Sequence, residues 1–428
     1  MTGTFANGGE NAARRMDAGD PLSRFRSCFH IPHCTVYMDG NSLGLLSNFA
    51  RDSILRVLGE WQSLAVEGWL DAEPPWFTLA EAVAADTAQL VGAAPEEIAI
   101  ANSTTVNLHQ ILATLFEPND RRSVILADCL NFPSDLYAIR SHLRLRGLDP
   151  ERSLRLVASR DGLALDEDDI AAAMTADVAI AVLPSVLYAS GQLLDMKRLA
   201  AEARRRSIVI GFDCSHSIGA IPHALDDWGV DFAFWCSYKY LNSGPGAIGG
   251  LYLNRRHFGR APGLAGWFGC RKSTQFDMNP QFDPAPDASA LQIGTPNILS
   301  VAALQGSLKI VHEAGIDQIR RKSLDLTSFL MELADAELAA LGVKVVNPRE
   351  DVHRGGHVAL SHPEATRLCK ALKARRIVPD FRPPEIVRLA PVALYNTFHD
   401  CYAAVMAIKA ILETGEHLRY EAGRGVVA

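Results

Sequence analysis

Residues 207–250 read SIVIGFDCSHSIGAIPHALDDWGVDFAFWCSYKYLNSGPGAIGG, and they set the architecture of the whole chain. An apolar run from Ser207 to Phe212 ends on Asp213, with His216 three residues further on. A second apolar run, Asp231 to Cys236, ends on Ser237-Tyr238-Lys239. Both are strand-length, and open α/β sheets bind ligands outside the carboxyl ends of their strands. A carboxylate and a lysine at two such ends suit pyridoxal 5′-phosphate. The lysine forms a Schiff base with the aldehyde, and the aspartate pairs with the protonated pyridine nitrogen so that the ring serves as an electron sink. Singly, each residue is more often a solvated charge or a cap; the pair carries the reading. The glycines after Lys239 carry less. Gly244-Pro245-Gly246-Ala247-Ile248-Gly249 matches G-x-G-x-x-G, but that signature follows a strand and opens a helix. Here a polar turn precedes it and a strand-like run, Gly250 to Leu253, follows, which excludes a nicotinamide or flavin site.

On either side, strand-like runs alternate with helix-length segments: Val124 to Ala127, Leu154 to Val157, Val178 to Leu183, and, past Lys239, Leu251 to Leu253. Crossovers of that length predict an α/β fold with a mainly parallel sheet covered on both faces. Upstream, Ile98 to Ile100 reads as a strand, and Asn102-Ser103 caps a helix whose Leu108, Ile111, Leu112 and Leu115 share a face. Ser103, Thr104 and Thr105 add three hydroxyls to the free N–H groups of that helix start, which predicts an anion site for phosphate. Phe132-Pro133-Ser134-Asp135 brings an aromatic ring and a carboxylate toward a ligand; a tight proline turn is the structural alternative. Phe49 to Leu64 and Leu79 to Val91 read as helices, and the proline-bearing loop between them carries Trp69 and Trp76, which cap the core or wall a pocket. Val36 to Gly44 is an extended piece running into a glycine-punctuated turn, with Asn41 and Ser42 at its tip.

Residues 1 to about 20 are small and polar and predict a mobile tail. The irregular stretch from Asn254 to Ala290 is long for a compact domain, so it is functional or packed on a partner. After it come a helix ending at Gly315 and a second with Ile319, Leu326, Leu330 and Leu333 on its core face. Strands near 343–346, 357–360 and 386–389 complete a small α+β domain. Arg388, at the end of the last of these, grips a carboxylate bidentately or forms a surface ion pair.

The 428 residues suffice for two domains, and 48% hydrophobic content is ordinary for a globular protein. A net charge of −7 leaves no electrostatic footprint for nucleic acid or an anionic membrane. Eight scattered cysteines with no C-x-x-C pair argue for a reducing compartment and against structural zinc. With no apolar signal region and no run of eighteen apolar residues, the expectation is a soluble, cytoplasmic protein acting on a small molecule.

From about Pro21 to Leu412 the chain resembles the kynureninase family, fold-type-I pyridoxal-phosphate enzymes of the aspartate aminotransferase superfamily. The motifs that carry the likeness are Gly40-Asn41-Ser42-Leu43-Gly44-Leu45, Thr105-Val106-Asn107-Leu108-His109, Phe132-Pro133-Ser134-Asp135, Cys236-Ser237-Tyr238-Lys239-Tyr240-Leu241-Asn242, Gly266-Trp267-Phe268-Gly269 and Arg388 through Asn396. The resemblance implies a large domain with a mainly parallel seven-stranded sheet (residues 65–305), a smaller α+β domain (306–428), and an N-terminal segment (1–64) packing on the small domain. It implies that Lys239 is the Schiff-base lysine, that Asp213 pairs with the pyridine nitrogen, and that His216 lies beside the ring. Phe132 stacks on the cofactor, with Ser134 and Asp135 close by, while Thr104, Thr105 and Tyr238 bind its phosphate. Trp267 and Thr295 reach the phosphate of the other subunit of a homodimer with shared active sites. Arg388 holds the substrate carboxylate, with Asn41 and Ser42 beside it.

The implied reaction is hydrolysis of the Cβ–Cγ bond of L-kynurenine to anthranilate and L-alanine. Lys239 moves the Cα proton, and Tyr238 is the candidate for proton transfer at the ketone. Members favouring 3-hydroxykynurenine carry His, Ser and Asn where this chain has Trp69, Gly294 and Thr295, which implies a preference for kynurenine or a relative without a 3-hydroxyl anchor. The stretch Asp226 to Asn242, by contrast, is similar to the animal type. Pro184 stands where some members place a serine, and no role is assigned to it. The competing enzyme reading is another fold-type-I lyase of the cysteine desulfurase kind; it would need a mobile-loop cysteine for desulfuration, and Tyr395-Asn396 speaks against it. A binding protein that merely keeps the fold is disfavoured by Lys239 and Asp213 together, and His216, His223 and the cysteines lack the spacing of a metal site.

Overall fold

The computed structural model describes residues 9–423 and 425. A short strand β1 (Val36–Tyr37) precedes the central sheet, which is built from β2 (Ile98–Ile100), β3 (Val124–Asp128), β4 (Leu154–Val157), β5 (Val178–Pro184), β6 (Val209–Asp213), β7 (Phe232–Cys236) and β8 (Gly249–Leu253). Their order is β2-β8-β7-β6-β5-β3-β4. Strands β4, β3, β5, β6 and β7 run parallel, and β8 is antiparallel to both of its neighbours. The apolar runs in β3, β5 and β7 follow from this position, because helices cover both faces and nearly every side chain of these strands is buried. Asp213 is the last residue of β6 and Lys239 lies three residues past β7, so both stand at the carboxyl edge.

The strand after the glycine run is β8, as the sequence predicts. Gly250 on it faces Trp235 of β7, where an added Cβ would sit 2.5 Å from the indole. That glycine serves sheet packing, not a phosphate.

A second sheet, ordered β12-β13-β10-β9, is antiparallel and consists of β9 (Lys344–Val345), β10 (Val358–Ser361), β12 (Asp380–Arg382) and β13 (Ile386–Leu389). The helices Ile316–Leu338, Ala365–Ala374 and Phe398–Thr414 bury their apolar faces on it. The remaining strand, β11 (Ile377–Val378), pairs in parallel with β1.

The N-terminal expectations need two corrections. Residues 9–20 are not a tail: Gly9–Ala18 is a helix that buries Ala12 and Ala13. Asp17 accepts hydrogen bonds from the backbone N–H groups of Phe398 (2.7 Å) and His399 (3.1 Å), capping another helix, and Asp20 forms a buried ion pair with Lys322 at 2.7 Å. Residues 1–8 of the expected tail lie outside the described residues. The second correction concerns where the segment packs. Helix Gly9–Ala18 and β1 do join the small sheet's domain, but helix Asn48–Leu64 lies against helix Ile298–Ala314, where Arg56 donates to Gln305 at 2.9 Å.

The expected tryptophan loop is in part a single helical turn, Gly68–Asp71, followed by the turn Trp76–Thr78. Trp76 is buried over Gly68 and donates its indole N–H to Glu60 at 3.0 Å, so it caps the core, while Trp69 stays half-exposed. Among the described residues no helix is long and apolar enough to cross a membrane.

Candidate active site

The two strand ends meet through a lysine and a histidine. Lys239 Nζ lies 2.9 Å from Nε2 of His216, on the turn that follows β6. Burial holds the imidazole well below its ordinary pKa, and the neighbouring Lys239 charge lowers it further. The ring is therefore neutral, and the ammonium donates to it. Nζ also stands 5.9 Å from the ring centroid of Phe132, which caps the start of helix Pro133–Leu145. For an aromatic ring at a strand–helix junction, 42% exposure is high, and Tyr188 packs against it nearly perpendicular at 5.4 Å. Phe132 thus presents an exposed ring beside the lysine.

Three carboxyl groups gather at the same edge. Asp213 accepts from the Ser215 backbone N–H at 2.8 Å. Asp135, buried in the first turn of its helix, is hydrogen-bonded to Asp213, and its carboxyl is pushed well above the usual range by burial and then by the Asp213 charge. Oδ2 of Asp135 has no hydrogen-bond partner. Behind them Asp128, the last residue of β3, is pushed up to about 7 by burial.

A hydroxyl cluster flanks the ring. Thr105 Oγ1 and Ser134 Oγ are 2.7 Å apart, which ties the starts of two helices together. Ser103 occupies the N-cap of helix Thr104–Leu115 yet makes no side-chain cap bond, which leaves that helix start free for another acceptor. Pyridoxal phosphate fits this donor set. Lysine, paired carboxyl groups, exposed aromatic ring and uncapped helix start each match one part of it, and the orphaned Asp135 oxygen is a polar atom that needs a partner.

The turn 40–44 closes the other side, because Gly44 N–H donates to the Tyr238 carbonyl at 2.7 Å. The Tyr238 phenol, half-buried, is held above its ordinary pKa by burial and by the neighbouring Cys236, so it keeps its proton. Asn41 in that turn is fully buried, and neither end of its amide has a partner. Arg388 is also fully buried, which removes the surface-pair reading. Its guanidinium donates to Asp380, to the Tyr188 carbonyl at 2.5 Å and to Ser42 Oγ at 3.3 Å.

Not every expected residue joins this group. Trp69, Trp267 and Thr295 line a cavity of about 590 Å³ together with Val66, Leu70, Phe77 and Phe276, and its lining includes none of Lys239, Asp213, Phe132 or Arg388. Gly294, beside Thr295, is exposed, with open space around its Cα. Residues the sequence reading missed are Asp128, Tyr188, Asp380 and His357, whose buried ring lies 6.0 Å from that of His216. Asp128 ends an apolar run just as Asp213 does, so the same signal marks it. The others have no local signal, since each is placed by a partner on another element.

Comparison with known proteins agrees with this geometry. Residues 319–408 match the family described as Kynureninase C-terminal domain. Proteins named Kynureninase from Geobacillus thermodenitrificans and Bacillus anthracis are 53% and 54% identical to this chain over 416 residues, covering 97% of each partner. Among solved structures, a cysteine desulfurase from Thermococcus onnurineus superposes with a TM-score of 0.79 at 18% identity, covering 92% of this chain and 98% of its own. A C-DES variant with glycine linked to its PLP cofactor superposes with a TM-score of 0.75 at 17% identity, covering 87% of this chain and 96% of its own. At that identity the structural matches establish the fold-type-I architecture alone. The sequence matches span both the sheet edge with Lys239 and the domain with Arg388, and by them the chain belongs to the kynureninase family.

Proposed function

We propose that this chain is a pyridoxal-phosphate-dependent hydrolase that cleaves the Cβ–Cγ bond of L-kynurenine, or of a ring-substituted kynurenine, to an anthranilate and L-alanine. The observation that carries this is the lysine–histidine pair beside an exposed aromatic ring, together with a fully buried arginine, in a chain of this family. Bound at this site, pyridoxal phosphate supplies an electron sink for charge developing at Cα and Cβ of the substrate.

The chain's own residues do the rest. Lys239 takes and returns the Cα proton, and neutral His216, already its hydrogen-bond partner, accepts from the ammonium form. Asp213 and Asp135 together hold a proton at the pyridine nitrogen, the charge of one favouring protonation of its neighbour. Thr104, Thr105, Ser134 and Tyr238 hold the phosphate, and Phe132 covers the ring. The Tyr238 phenol, protonated at neutral pH, serves the ketone oxygen. Arg388 takes the substrate carboxylate, with Asn41 and Ser42 beside it.

In this reading the large domain binds the cofactor and the small domain contributes the carboxylate grip. The protein works in the cytoplasm as a homodimer, in tryptophan catabolism or NAD biosynthesis. Trp267 and Thr295 serve the partner's cofactor, which accords with their lying in a cavity apart from Lys239. Trp69, in the same cavity, walls the substrate ring at the partner's site, where no strong anchor for a 3-hydroxyl stands.

The test is kcat/KM for L-kynurenine and 3-hydroxy-L-kynurenine measured side by side on the loaded enzyme. A bias of about tenfold or more toward kynurenine is expected, and the Lys239→Ala variant should turn over neither. Equal or better use of the hydroxylated substrate would sink the ring assignment; no turnover of either would sink the function.

A further inference from the structure

Arg388 is enclosed completely, and so is the carboxylate that faces it: Asp380 is 1% exposed. A guanidinium taken out of water is strongly disfavoured unless it is paired and its donors are filled. Asp380 Oδ2 receives Nε of Arg388 at 2.6 Å and, more closely still, Nη2, while Arg382 Nε stands 3.1 Å from the same oxygen. One carboxylate oxygen therefore fixes the Nε side of the guanidinium.

The remaining donors point elsewhere. Nη1 reaches the Tyr188 carbonyl, and Nη2 reaches Ser42 Oγ. Both acceptors belong to the walls of the site: Tyr188 stands edge-on to Phe132, and Ser42 is in the turn that Gly44 joins to Tyr238. The Nη edge, the edge that binds a carboxylate bidentately, is thus the one turned toward the Tyr188 carbonyl and the turn 40–44, both in walls of the site.

From this we infer that Asp380 is a positioning residue for the substrate carboxylate: by holding the Nε side of Arg388 it presents the Nη edge to the site. The inference rests on the reading of Arg388 as the carboxylate grip. Position is the issue because a second carboxylate is close by. Asp39 shares the neighbourhood of Arg388, Arg382 and Ser42, and burial and then the Asp380 charge push its carboxyl up to about 6. With Asp380 removed, Arg388 is the strongest cation left for Asp39 to attract, and turning toward it takes the Nη edge off its aim.

Asp380→Ala and Asp380→Asn are compared with Arg388→Lys in the pyridoxal-phosphate-loaded enzyme, reading KM, kcat and, by spectral titration, the affinity for pyridoxal phosphate itself. Asp380→Ala should raise KM for kynurenine by roughly tenfold or more, with kcat changed by less than about threefold and cofactor affinity unchanged. Asp380→Asn, whose amide oxygen still accepts from Nε, should recover part of the loss. If Asp380→Ala does not fold, the asparagine variant carries the test, with an intermediate rise in KM at unchanged cofactor affinity. An unchanged KM in the aspartate variants while Arg388→Lys raises it overturns the inference and leaves the arginine's role standing. An unchanged KM in Arg388→Lys overturns that role and the inference with it. A fall in cofactor affinity parallel to the rise in KM shows general damage to the site and also overturns it.

Discussion

Burial, rather than residue type, sets what each acid at this site does. Asp128, fully enclosed at the end of β3, is pushed up to about 7 although the Leu130 N–H donates to it at 2.9 Å, so desolvation outweighs that bond. An unfolded aspartate titrates near 4, so between about pH 4 and 7 the folded protein holds a proton that the unfolded chain releases. That contribution is fully present below about pH 4 and is lost as pH rises through about 7; three units set its upper limit at roughly 4 kcal/mol. Between pH 5 and pH 8 the Tm of the cofactor-free protein should therefore fall more steeply, or rise less, than that of Asp128→Asn, because the buried histidines that favour higher pH are common to both. The same slope in both proteins would mean Asp128 titrates as if exposed. At this scale the sequence was informative wherever a charge ended an apolar run, as at Asp213. It was silent on Asp380 and Tyr188, because a counter-ion is recognisable only once the sheet has brought its arginine to it.

Among the elements, two helices approach one another unusually closely. Gly306, in helix Ile298–Ala314, faces the backbone of helix Asn48–Leu64, and an added Cβ would lie 2.3 Å from the Phe49 carbonyl oxygen. Backbone does not yield as a side-chain tip does. Gly306→Ala gains about 1 kcal/mol of helix propensity, but overpacking of this kind costs roughly 1–3 kcal/mol. A net loss of about 1 kcal/mol in urea denaturation is expected, and a variant as stable as the parent would contradict so tight a contact. The same comparison explains which elements were legible. The central strands and helix Leu79–Val91 announce themselves by apolar runs and period, because burial on a sheet demands both. Helix Gly9–Ala18 reads as a polar tail because its stability comes from the helix it caps and packs on. Strands β1, β11 and β12, of two or three residues, are too short to carry a period, and β12 is where Asp380 sits.

Across the whole molecule, the central sheet supplies Lys239, Asp213 and Phe132 and the small domain supplies Arg388, joined by the turn 40–44 from the N-terminal segment. The alternation of strands and helices was enough to put Lys239 and Asp213 at one sheet edge; that Arg388 belongs with them was implied by the family resemblance alone. The cavity that holds Trp69, Trp267 and Thr295 was not forecast as a separate place. Its rim leaves Val66, Leu70 and Phe276 exposed, the kind of surface the proposed second subunit would cover, and one chain's sequence does not reveal its partner's reach. What every part of the fold converges on is a single lysine, and reduction tests it. Borohydride fixes pyridoxal phosphate to the lysine that holds it, and Lys239 is the only lysine between Arg206 and Arg255. The account predicts the added pyridoxyl mass within residues 207–255, on Lys239, together with loss of kynurenine hydrolysis. Label on another lysine, or full activity after complete reduction, would contradict it.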